Sequence, residues 1–187
     1  MRILYNKEIN ISLKKIIHNK KQCYLNSNYG GKKIKNWPFY KFLKIYIYDS
    51  EANALSLWTD WLKNEYRKYC LIDKKNGGML NGSIHKIVCS NDGLDKKYYL
   101  EYPDKIDNDT LIKSCEIYVK NKFKLVESIK TKGFIFSKKN KIFANYYNNN
   151  YELYSGHHRI AILELLNYKS IDELWVYTLL YKLLKKI

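Results

Sequence analysis

The stretch YELYSGHHRIAILELLNYKSI, residues 151–171, decides the fold. Tyr151 to Tyr154 reads as a strand. A serine and a single glycine follow, and apolar residues then recur at Ile160, Ala161, Leu163, Leu165 and Leu166, the spacing of a helix face that runs up to Tyr168. Working outward, Lys141 to Tyr147 reads as a strand. Asn148-Asn149-Asn150 suits a hairpin loop, because asparagine tolerates positive φ. Leu174 to Leu180 is an aliphatic-aromatic strand, and the tail from Tyr181 to Ile187 is basic and amphipathic. Strand, turn, strand, helix, strand describes an α+β (mixed α/β) protein.

Further upstream, the spacing predicts a long helix from Thr110 to Lys132, capped by Asp109. Its apolar stripe is Leu111, Cys115, Tyr118 with Val119, Phe123, Val126 and Ile129. Gly133 stands where a helix stop needs left-handed φ. Phe134 to Phe136 resumes as a short strand. An earlier amphipathic helix spans Glu51 to Tyr69, with Asp49 and Ser50 offering cap oxygens and a stripe of Leu55, Trp58, Leu62, Tyr66 and Tyr69. Trp58 and Trp61 read as packing anchors rather than base-stacking platforms. Asp73 to Ser83 is glycine-rich and reads as a loop. Trp37 to Tyr48 is aromatic and apolar, and Asn19 to Asn36 is a polar, basic loop with a Gly30-Gly31 pair. No Gly-Lys-Ser or Gly-Lys-Thr follows that pair, so it is no Walker loop. Glu8 to Ile17 alternates as a half-buried strand does, with Ile9, Ile11 and Leu13 on one face.

The chain has 187 residues, a length that suits one domain and can bury a core without metal or disulfides. Lys plus Arg number 34 against 18 Asp plus Glu, a formal net charge of +16. That charge invites a nucleic-acid reading. Only Arg2, Arg67 and Arg159 are arginines, however, and Tyr stands at 19, with Asn and Ile also common. Lys, Asn, Ile and Tyr are the residues of A/T-rich codons, so the charge is assigned mainly to composition. The 4 Cys lack a CxxC pair, so no zinc pattern is present and free thiols are expected. No signal-peptide pattern opens the sequence, and no apolar run reaches the length of a bilayer span; a soluble, cytoplasmic protein is expected.

The chemistry concentrates at the strand–Ser-Gly-His-His-Arg–helix junction. Ser155 is placed to cap the helix. The first-turn N–H groups of a helix lack partners within it, and its dipole puts partial positive charge there, so such an end accepts phosphate. Gly156 keeps a Cβ away from an approaching anion. Arg159 offers a fork that grips phosphate oxygens in pairs. His157 and His158 can donate to phosphate or move a proton near neutral pH. The competing reading makes one histidine a core residue and the other a solvent residue.

Leu125, Ser128, Ile129 and Gly133, followed by a hairpin and by Gly156, His158 and Arg159, resemble the ParB/sulfiredoxin-like superfamily over about residues 111–180. Members carry a helix, a strand pair, and a box ending in Arg that opens a second helix. The resemblance implies a core at residues 111–180 within a single domain spanning 1–187. Residues 1–20 hold a candidate first strand, and residues 30–110 form a largely helical insertion. It also implies a bacterial protein that binds ATP or CTP with Mg²⁺ through Ser155, Gly156, His157, His158 and Arg159. The activities it suggests are phosphoryl transfer or nucleotide hydrolysis on a small molecule, kinase-like or hydrolase-like, with a loose association with surface-polysaccharide metabolism. His157 and His158 are the catalytic candidates.

Departures from the family pattern weigh against particular members. His157 stands where sulfiredoxins have their cysteine. The tail from Tyr181 is too short for the helix-turn-helix unit of a partition protein. Ser155 replaces the Asp that precedes Gly in kinase-like members, and neither Glu152 nor Glu127 is aimed by the sequence. A DNA-binding or nuclease-like protein and a non-catalytic binding module are the alternatives.

Overall fold

The computed structural model describes residues 5–18, 31–76, 106–135 and 141–177. They form an α+β protein with strands β1 (Tyr5–Ser12), β2 (Ile16–His18), β3 (Phe143–Tyr147), β4 (Asn150–Leu153) and β5 (Ser170–Tyr177). The helices are α1 (Tyr40–Tyr48), α2 (Glu51–Asn76), α3 (Asn108–Lys132) and α4 (His157–Leu165). The chain divides into two compact units, Met1–Lys44 with Leu125–Ile187, and Ile45–Lys124.

The first unit holds a sheet of order β1-β5-β3-β4-β2. β1 runs antiparallel to β5, β5 parallel to β3, β3 antiparallel to β4, and β4 parallel to β2. The short link between its two edge strands forces this sheet to curl. Ser12 and Ile16 are separated by a 3-10 turn, Leu13–Lys15, and their Cα atoms can lie at most about 14 Å apart. The edges of a flat five-stranded sheet would stand about 19 Å apart. Tyr151 of β4 donates its hydroxyl to Glu8 Oε2 of β1 at 2.9 Å, a side-chain bond across the curl. Ile16, Ala144, Leu153, Leu174 and Val176 supply buried sheet residues, and α4 buries Ile160, Ala161, Ile162, Leu163 and Leu165.

β3 and β4 meet at a two-residue turn, with Tyr147 paired to Asn150. Asn148 and Asn149 have φ of 46° and 59°, the left-handed pair whose twist matches a hairpin. Gly133 ends α3 at φ 70°, with its N–H donated to Ile129 O at 3.0 Å.

In the second unit, α2 buries Ala54, Trp58 and Leu62, and α3 buries Leu111, Cys115, Val119 and Phe123. The Trp58 ring meets Tyr118 edge-on at 6.4 Å, and Phe123 stacks on Tyr46 at 3.9 Å. Burial pushes the Cys115 thiol up to about 12, so it is an unreactive packing group. Cys23, Cys70 and Cys89 lie outside the described side chains. Ser50 caps α2 as expected, its Oγ accepting from Asn53 N–H at 3.3 Å.

Several sequence expectations are corrected. The strand read over Glu8 to Ile17 is two strands, and Ile9 is 65% exposed whereas Ile11 is 7% exposed. Asn10, at φ 52°, breaks the alternation between them. α2 continues past Tyr69 to Asn76, because nothing before Gly77 forbids helix; the rest of the expected loop, residues 77–83, lies outside the described residues. The cap of α3 is Asp107 rather than Asp109, since Asp107 Oδ1 accepts from Thr110 N–H at 2.8 Å. Phe134 and Ile135 belong to no strand, because Gly133 turns the chain and the Phe134 ring packs 6.0 Å from the guanidinium of Arg159. β5 starts at Ser170, since its pairing with β1 takes in polar Glu173 and Ser170 as well as its apolar residues. Residues 178–187 lie outside the described residues.

Candidate functional site

β4 delivers the chain to a turn that is pinned against the start of β3. The backbone N–H groups of Tyr154 and Ser155 both donate to Phe143 O, at 2.7 and 3.3 Å. The Ser155 hydroxyl accepts from Phe143 N–H at 3.3 Å. Ser155 therefore does not cap α4; its oxygen is engaged by the neighbouring strand. No side chain caps this helix, and its first turn contains no acidic residue. The positive end of α4 is thus not neutralised by its own sequence.

Gly156 occupies the cap position at φ 86°, and its carbonyl accepts the first helical bond, from Ile160 N–H at 3.0 Å. A Cβ there would stand 3.0 and 3.1 Å from Ile142 Cγ1 and Cγ2 and 3.4 Å from Arg159 Nη2. The left-handed backbone conformation favours glycine, and a Cβ would in addition crowd the Ile142 side chain. Close approach of an anion is not needed to explain this residue.

Arg159 is half-buried, and burial holds its pKa below the ordinary arginine value. Its Nη2 donates to Lys141 O at 3.3 Å, and its guanidinium lies 6.0 Å from the Phe134 ring centre. Lys141 in turn places its ammonium 3.4 Å from the centre of the Trp175 ring. Lys141 thereby links the start of α4, through its carbonyl, to the aromatic face of β5, through its ammonium.

The two histidines face an aromatic wall. His157 meets Trp37 edge-on, with ring centres 5.4 Å apart, and its Nε2 is shielded from solvent. His158 stacks on Phe39 at 4.2 Å. Trp37 and Phe39 are buried and touch each other at 5.8 Å. Trp37 is fixed in turn by its Nε1–H, donated to Lys32 O at 3.0 Å. The sequence placed these two aromatics only in an apolar stretch. No local signal connects positions 37 and 39 with positions 157 and 158, more than a hundred residues on.

Ser155, Gly156, His157, His158 and Arg159 are therefore brought together in three roles. Ser155 ties the turn to β3, the histidines pack on aromatic rings, and Arg159 carries the charge beside an uncapped helix start. Of the two carboxylates that the sequence offered, Glu127 is exposed and paired with Lys130 at 3.1 Å, and Glu152 is buried on β4. Glu164 of α4 has its pKa raised by burial, partly offset by Lys35, and its Oε2 has no hydrogen-bond partner among the described residues. Among the described residues no group of three or more His, Cys, Asp or Glu is arranged to hold a metal ion. No described helix is long and apolar enough to cross a membrane. No protein-family model matches this chain, and neither the curated proteins nor the solved structures give a match to it.

Proposed function

We propose that this protein binds the phosphates of a nucleotide, ATP or CTP, at the start of α4, and that it is a ParB/sulfiredoxin-like protein acting on a small molecule by phosphoryl transfer or nucleotide hydrolysis. One observation carries the reading: α4 begins without a side-chain cap and without an acid in its first turn, and Arg159 lies within that turn. Helix end and guanidinium favour the same ligand, a compact anion. Mg²⁺ would arrive on the phosphates. The first turn of α4 offers it no carboxylate, so no protein ligand is assigned to it. A small-molecule partner and a bacterial setting in polysaccharide metabolism rest on the family resemblance alone.

A non-catalytic binding module is the second reading, favoured by the packing of both imidazoles on Trp37 and Phe39. Rings held in that way stiffen the helix start, and the shielded Nε2 of His157 is poorly placed to exchange a proton with solvent.

Calorimetric titration with ATP and with CTP, each with Mg²⁺, tests the proposal. Wild-type protein is expected to bind one of them. Arg159→Ala is expected to weaken that binding by roughly 10- to 100-fold, the worth of charged hydrogen bonds to phosphate. Arg159 also bonds Lys141 O, so circular dichroism must show the variant folded at the assay temperature. Unchanged affinity in a folded Arg159→Ala variant rejects the site. Binding without turnover selects the second reading.

A further inference from the structure

We draw no further inference here: the strongest candidate, the aromatic patch of Phe143, Tyr154, Trp175 and Tyr177 on the sheet face opposite Ala144, Leu153 and Val176, carries none because nothing in the structure shows what covers it.

Discussion

At Gly156, φ of 86° favours glycine, and the Ile142 side chain leaves little room for a Cβ. Gly156→Ala is expected to cost about 2 to 4 kcal/mol, from left-handed strain together with overlap against Ile142. Denaturant unfolding at constant slope checks this. Loss of ligand binding in such a variant would report misfolding, so Arg159 and not Gly156 is the position at which binding is tested. Thr59 presents the opposite case. It is 6% exposed, and its hydroxyl has no hydrogen-bond partner among the described residues. Thr59→Val keeps the shape and removes the unpaired polar atom, so stability is expected to hold or to rise by up to about 1 kcal/mol. A lower melting temperature in this variant would show that the hydroxyl is satisfied after all. The positive φ of Gly133 was readable from sequence as a helix stop, because backbone sterics act within one residue; Gly156 was read there as room for an anion, and its φ and its contact with Ile142 came from the structure. The engagement of Ser155 was not readable, because its partner Phe143 belongs to another strand.

Helix ends differ in what secures them. α3 starts on Asp107, whose carboxyl is held below the usual range, chiefly by the Thr110 backbone N–H and also by its hydroxyl. A carboxyl with a depressed folded pKa stabilises above its unfolded value, about 3.9, and loses that contribution as pH falls through the folded value. The first turn of α3 is therefore expected to fray in acid. Asp107→Asn, which keeps a capping oxygen but does not titrate, should blunt that response, as read by hydrogen exchange at residues 108–111. Glu164 of α4 has the opposite sign: burial raises its folded pKa, so the cost of ionising it grows as pH rises through the ordinary carboxylate range. Glu164→Gln should remove that pH dependence from thermal unfolding.

Elements with one strong local signal were legible. The Asn148–Asn149 turn fixed its hairpin, and the stripe from Leu111 to Ile129 fixed the face of α3. The true limits of α2, α3 and β5 were not, because competing caps and polar strand residues leave the ends open until hydrogen-bond partners are known.

For the whole molecule, the bond between Tyr151 and Glu8 joins strands that are three places apart in the sheet order. Tyr151→Phe removes it without changing ring packing, and is expected to destabilise by about 1 to 2 kcal/mol. An unaltered unfolding midpoint would mean that the curl rests on the chain link Leu13–Lys15 alone. The +16 net charge makes a separate prediction. Anion binding at one helix end should weaken mildly with salt, whereas binding of a nucleic acid by many lysines should fall by roughly 10³- to 10⁵-fold between about 50 and about 200 mM.

Sequence by itself determined the α+β class, the hairpin, the helix faces and the strand–glycine–helix junction, because each follows from periodicity or from a conformation that only certain residues adopt. Tertiary structure alone decided the strand order, the curl of the sheet, the wall of Trp37 and Phe39 behind the histidines, and the diversion of Ser155 from cap to strand. These depend on contacts between residues far apart in the chain, which local propensity does not encode.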